Sequence, residues 1–233
     1  MRIEIEPVEG IGEIAPGDDL ASQLIDRLAP MGPVDEDVVV VTHKVVSKAE
    51  GAVVELEDDG PDGHRGLVER ESVRVLRRRG PLVIAETRHG FICANAGVDR
   101  SNAVPGTAVL LPEDPDRSAR RLRDRIRAEL GVAPAVIITD TFGRPWRRGL
   151  VDIAIGIAGM APIDDLRGTT DSHGKVLDVT EVNVADEIAA AADLVMGKAT
   201  GICAALVRGV KTPPGPGSIR EDVVRPPHED LFR

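Results

Sequence analysis

Between Val38 and Leu111 five apolar, β-type runs follow one another, at 38–42, 52–56, 82–86, 91–95 and 107–111, with one helical stretch among them, at about 66–79. A wound parallel sheet needs a crossover of a dozen or more residues, normally a helix, between consecutive strands. Runs joined by short turns pair antiparallel instead. The order therefore predicts an α+β fold of mixed, largely antiparallel sheets with packed helices. Further strands are expected at 2–6, 135–139, 151–157, 175–183 and 203–208, and helices at 19–28, 115–130 and 185–197. Asp114-Pro115 opens the second of these helices, whose arginines read as a solvated face. Asp186 and Glu187 suit the positive end of the third. Gly60 to Gly66 reads as a mobile loop, and Pro213 to Gly217 as a stiff linker into a C-terminal tail.

Aromatic residues make up 2% of the 233, with no tyrosine, one tryptophan and three phenylalanines, so the core has to be built from Val, Ile, Leu and Ala. Trp146 is read first as a packing anchor and second as a platform for a flat ligand ring. A net charge of −10 argues against nucleic-acid binding, which rewards a basic surface. No apolar run reaches the roughly twenty residues of a membrane span, and 1–10 lacks a signal-peptide core, so a cytoplasmic chain is expected. Cys93 and Cys203 lie in apolar runs and read as buried small hydrophobes.

Three segments carry chemistry. In Val136–Gly149 (VIITDTFGRPWRRG) an apolar run ends on Asp140-Thr141 and opens into a turn bearing Arg144, Arg147 and Arg148. Mg²⁺ or Mn²⁺ takes hard oxygens and a polyphosphate takes cationic side chains, so this turn reads as a metal and phosphate site; Asp-Thr capping an ordinary turn is the alternative. Asn95–Asn102 (NAGVDRSN) sets Asp99, Ser101 and Asn102 in a polar loop, a second carboxylate for a shared metal or a local Asx-turn. Val38–Gly51 runs a buried-looking strand into His43, Lys44, Ser47 and Lys48, either a phosphate clamp or a solvated lysine face. Neither a Walker loop nor a GxGxxG fingerprint is present.

Taken in order, the opening Ile5–Gly12 (IEPVEGIG), PGDDL at 16–20, VVSKAEG at 45–51, NAGVDRSN at 95–102, IITDTFGRPWRRG at 137–149 and VADEIAAAADLVMGK at 184–198 resemble the coenzyme F420:L-glutamate ligase family. The resemblance runs from about residue 3 to residue 210, which is taken as the ligase domain, of one piece or two intimate subdomains, with 211–233 as its tail. It implies the fold peculiar to that family and a GTP-dependent ligase that attaches L-glutamate to a lactyl-phospho-deazaflavin, then adds further glutamate by γ-linkage. An acyl phosphate is the implied intermediate. Asp99 and Asp140 are implied as ligands of a divalent metal, Thr141 of a second one, and K⁺ as a further ion. Asp99, Asp140 and Lys48 become the catalytic set. The backbone of Ile11, Gly12, Glu13 and Ile14, with His43, Lys44, Lys48 and Asn102, would contact GTP. Arg144, Arg147, Arg148 and Lys198 are assigned to phosphate or acidic substrates, and a homodimer with sites near its interface is implied.

Two departures from the pattern are visible. Archaeal members carry a glutamate for the second metal in the stretch matching 196–201, where this chain has Lys198, and His43 stands where relatives have small hydroxyl residues. Some relatives are fused to a flavin-reductase domain, and the ending HEDLFR resembles that junction.

Overall fold

The computed structural model describes residues 2–58 and 60–231, so Phe232 and Arg233 at the end of the junction-like HEDLFR lie outside the described residues. The elements run β1 (Glu4–Pro7), α1 (Leu20–Leu28), β2 (Val38–Thr42), α2 (His43–Ala49), β3 (Val53–Glu55), α3 (Pro61–Glu71), β4 (Ser72–Arg79), β5 (Leu82–Thr87), β6 (Ile92–Ala94), β7 (Thr107–Val109) and α4 (Pro115–Leu130). They continue with β8 (Ala135–Arg144), β9 (Arg147–Ala158), β10 (Ile163–Asp165), β11 (Glu181–Asn183), α5 (Val184–Met196), β12 (Ala204–Arg208) and α6 (Ile219–Asp222). The class is α+β, as the strand order predicts.

Five strands form the main sheet in the order β1-β12-β2-β8-β9, with only β2 and β8 parallel. Val38–Val41, Ala135–Thr139 and Ala204–Val207 are buried at every position, so both faces of the central strands are covered. Helices α4 and α5 pack on this sheet, and α1 packs on α4. The core is aliphatic, as the shortage of aromatics requires: Leu24, Leu28, Ile126, Ile137, Ile138, Ile155, Ile157 and Leu206 are among its fully buried side chains. A second, smaller cluster of Leu67, Val68, Val83, Ala85, Ala96, Val98 and Ala108 joins α3 to the β4-β5-β6 and β3-β7 sheets.

Three expectations are corrected. The helix placed at 66–79 is two elements, α3 followed at once by β4, because Ser72–Arg79 pairs antiparallel with β5, from Ser72 opposite Thr87 to Arg79 opposite Leu82, and that ladder overrides its helix-compatible arginines. The loop expected at 60–66 is instead the first half of α3, which opens with proline at its start, where a missing N–H costs nothing. Of the strand expected at 175–183 only Glu181–Asn183 forms, paired with Ile163–Asp165; upstream, Asp171 gathers the backbone N–H groups of His173 and Lys175 into a turn. His43–Ala49 is helical although two adjacent β-branched valines, Val45 and Val46, lower its propensity; tertiary burial overrides that preference.

The tail returns to the body. Asp116, buried in the first turn of α4, accepts hydrogen bonds from Ile157 N, Ser218 Oγ and Ile219 N, and Ile219 is itself buried.

Candidate active site

The parallel pair β2 and β8 ends unevenly. Thr42 is the last residue of β2 and stands opposite Thr139, after which β2 turns into α2 while β8 runs on as a hairpin with β9. Asp140 and Thr141 therefore lie on a two-stranded extension beside an open crevice at the carboxyl ends of two parallel strands, where open sheets characteristically bind ligands. They are mid-strand residues, not the strand end and turn that the sequence suggests. The turn is two residues, Pro145-Trp146, between the paired Arg144 and Arg147; proline followed by a positive φ of 58° at Trp146 is the type II pattern.

The crevice has a volume of 170 Å³ and is walled by Thr42, His43, Lys44, Ser101, Asn102, Asp140, Thr141, Asp152, Lys198 and Cys203, among others. A larger cavity of 690 Å³ lies between the start of α4 and the tail, but it holds none of the expected site residues. Polar groups from β8, β9, α2 and two loops converge in the smaller one, and convergence of chemistry outweighs size.

On one wall His43, 2% exposed, places Nε2 3.2 Å from Asp140 Oδ1. The approach is too oblique for a hydrogen bond, so this buried ring nitrogen has no hydrogen-bond partner among the described residues. Nδ1 lies 3.4 Å from Ser47 Oγ, a turn along α2. Asp140 Oδ1 also accepts from the backbone N–H of Thr141 at 2.7 Å, while Oδ2 has no partner among the described residues. Beside His43, Lys44 Nζ is 2.7 Å from Asp99 Oδ2 and donates to Ser101 Oγ at 2.6 Å, tying α2 to the NAGVDRSN loop. That loop needs left-handed backbone at Asn95, Ala96 and Asn102, and Asp99 anchors it by exchanging backbone hydrogen bonds with Val109. Burial alone would raise the Asp99 carboxyl, but the hydrogen bond and charge of Lys44, helped by Ser101, hold it below the ordinary carboxylate value.

The opposite wall holds a residue the sequence reading missed. Asp152, 2% exposed, stands across from Thr141 in the β8–β9 register. It accepts from Thr139 Oγ1 at 3.0 Å and Thr141 Oγ1 at 2.6 Å, and Lys198 Nζ lies 2.8 Å from its Oδ1. The same ammonium donates to Thr141 Oγ1 and lies 3.3 Å from Asp193 Oδ1. Burial works against the Lys198 charge, yet Asp152 and then Asp193 outweigh it and hold its pKa above the usual lysine value. The signal for Asp152 was a lone carboxylate inside an otherwise apolar strand, legible only once the hairpin register is known.

The other expected residues lie further out. Lys48 is buried, against the reading of a solvated lysine face, and pairs with Glu13; it joins α2 to the 11–14 turn and does not line the crevice. Within that turn Ile14 is buried and Gly12 and Glu13 are exposed, again outside the crevice wall. Arg144, Arg147 and Arg148 are exposed at the hairpin tip, and their side chains make no hydrogen bond or ion pair among the described residues. Trp146 is 82% exposed, which overturns the packing reading. Cys93 is buried, its thiol pushed up to about 12 by burial and by the nearby Asp140 charge. Cys203 is only partly buried, correcting the expectation that both are, and lines the crevice with its thiol pushed up to about 11 by burial. Among the described residues no group of three or more His, Cys, Asp or Glu is placed to hold a metal unaided.

A model of the F420-0:Gamma-glutamyl ligase family matches residues 10–209. The coenzyme F420:L-glutamate ligase of Methanopyrus kandleri is 44% identical over 99% of this chain and 98% of its own. Those of Methanothermobacter thermautotrophicus, at 41% over the whole of both chains, and Archaeoglobus fulgidus, at 42% over all of this chain and 97% of its own, are similar in the same way. A family match over most of the sequence, with relatives alike from end to end, settles the kinship: the chain belongs to the F420-0:gamma-glutamyl ligase family.

Proposed function

We propose that the chain joins L-glutamate to the carboxylate of a lactyl-phospho-deazaflavin, at the expense of GTP, and then adds glutamate by γ-linkage. The observation that carries this reading is the convergence of Asp140, Thr141, Lys44, His43 and Asn102 in one crevice of a member of this family. Relatives bearing the name coenzyme F420:L-glutamate ligase support the acid and the amine.

The chemistry has two steps. A carboxylate oxygen of the deazaflavin attacks the γ-phosphorus of GTP, the P–O bond to GDP breaks, and an acyl phosphate forms. The glutamate amine then attacks the acyl carbon, phosphate leaves, and the amine loses its proton as the amide forms. Charge spreads over the transferring phosphoryl oxygens, so positioning and electrostatic stabilisation do most of the work. Lys44, one turn from Lys48 on α2, supplies a cation at the crevice wall, and Asn102 supplies a neutral donor. Backbone N–H groups of 11–14 serve the nucleotide from the far side of Lys48.

Mg²⁺ or Mn²⁺ suits Asp140, whose Oδ2 is unpartnered among the described residues; Asp99, whose oxygens are held by Lys44 and the Ser101 N–H, would join such an ion only on releasing Lys44, and the ion would neutralise phosphate charge when bound. K⁺ is kept as a further ion without an assigned ligand. The arginines of the hairpin tip are assigned to the acidic substrates, and the chain to the cytoplasm as a homodimer, which light scattering tests.

Incubation of the deazaflavin with GTP, L-glutamate and Mn²⁺, beside the same mixture with ATP, tests the reading by mass spectrometry. Glutamate-sized increments with GTP are expected. Increments with ATP alone would reassign the nucleotide, and none with either would sink the ligase.

A further inference from the structure

The second metal that the resemblance attaches to Thr141 does not fit this chain, because the Thr141 hydroxyl gives its one proton to Asp152 Oδ1, at 2.6 Å, and the Lys198 ammonium already sits against its oxygen. Three oxygens from three elements, Thr141 on β8, Asp152 on β9 and Asp193 on α5, converge on the single Lys198 nitrogen. Two carboxylates and a hydroxyl are hard donors of the kind a divalent ion takes, completed by phosphate and water. An ammonium and a divalent ion compete for the same oxygens. The ammonium is tethered one residue past the Gly197 that ends α5, so its effective concentration is of about millimolar order or above at all times.

Asp152 makes the arrangement more than a surface ion pair. Its carboxylate is almost wholly buried, and a buried carboxylate needs a cation or several donors. Thr139 and Thr141 provide two donors, and Lys198 provides the charge. The lysine side chain is half exposed and walls the crevice, so its positive head faces the space in which an anionic ligand would sit.

We propose that Lys198 is a built-in cation of the site, its ammonium holding the Thr141, Asp152 and Asp193 oxygens in place of a second divalent ion and presenting a fixed positive charge to the phosphoryl group. The inference rests on the metal and nucleotide reading above. It makes this crevice a hybrid, with one exchangeable ion at Asp140 and one covalently attached cation opposite.

The test counts Mn²⁺ bound per chain, with and without GTP, from the loss of the free-ion electron paramagnetic resonance signal. Lys198→Ala is expected to bind one more Mn²⁺ per chain than the unaltered protein, and Lys198→Ala combined with Asp152→Asn to lose that extra ion. Lys198→Arg, which keeps the charge, should leave the count unchanged. Equal counts in the unaltered chain and Lys198→Ala would overturn the proposal, as would an ion in the unaltered chain that Asp152→Asn removes. The count in the unaltered chain bears on the other ion: no Mn²⁺ there but one in Lys198→Ala would leave Lys198 as inferred and refute the metal at Asp140.

Discussion

The two halves of the β8–β9 hairpin share one ladder of hydrogen bonds and obey different rules. Its inner half, Ala135–Thr139 against Ala154–Ala158, is buried throughout, flanked by β2 and packed on α4 and α5. Gly156 lies so close to α4 that a Cβ there would stand 2.4 Å from the Pro115 backbone. The outer half, Gly143–Leu150, is exposed at every position and carries three arginines and a tryptophan. Asp140, Thr141 and Asp152 sit at the junction, where β8 has outrun β2. The inner half makes the hairpin rigid, and the junction inherits that rigidity while remaining open to ligand, which is the condition for precise electrostatic placement.

The comparison breaks most visibly in stability. Ile157→Ala, in the inner half, should cost about 2–5 kcal/mol in urea unfolding by lost transfer energy and a cavity, whereas Leu150→Ala, in the outer half, should stay within about 0.5 kcal/mol. Similar losses at both positions would mean that the outer half is packed in solution, most simply against a second copy. The junction should respond in activity. Asp140→Asn keeps the size and the acceptor for Thr141 N, so the metal-free melting temperature should hold while turnover falls about 100-fold or more. A retained rate would remove Asp140 from the site.

Asp152 tests the junction from the other strand. Asp152→Ala strands two threonine hydroxyls, one of them fully buried, and should cost about 1–3 kcal/mol as well as activity. No change in the denaturation midpoint would show that the hydroxyls find other partners. Smaller still, Arg147→Ala and Arg148→Ala should shift stability by less than about 0.5 kcal/mol, since neither side chain has a partner to lose among the described residues, while raising KM for the acidic substrates. An unchanged KM would detach the hairpin tip from substrate binding.

What the sequence made legible divides along the same line. The inner strands announce themselves as runs of consecutive β-branched and aliphatic residues, and the α+β class follows from their order. Asp140, Thr141, Asp99 and Lys44 stand out as polar residues just after such runs, and the fold brings all but Asp99 onto the crevice wall, with Asp99 one ion pair behind. Asp152 was not legible, because its meaning is a matter of register: only pairing with Thr141 turns an isolated acid inside a strand into a site residue. Trp146 misled for a related reason. In an aromatic-poor chain a tryptophan looks like core, but the two-residue turn places it at the exposed tip of the hairpin. The early end of the helix expected at 66–79 was hidden by arginines, which suit an exposed helix face and an exposed strand face equally well.

Across the crevice, Asp99 offers the finest test of how its two walls differ. Its carboxyl is held below the ordinary value by Lys44 and Ser101 against the opposing pull of burial. A folded-state pKa below the unfolded one contributes stability that is present above about pH 4 and is lost as pH falls through the lowered folded value. Both partners are partly exposed, with side chains 25% and 31% accessible, so solvent screening keeps the contribution below about 1 kcal/mol. Urea midpoints of the unaltered chain and of Asp99→Asn should therefore differ slightly at about pH 6 and converge as the solution is acidified through the lowered folded value. A gap that persists in acid would mean that Asp99 holds its loop through shape and neutral hydrogen bonds, with the Lys44 charge contributing nothing.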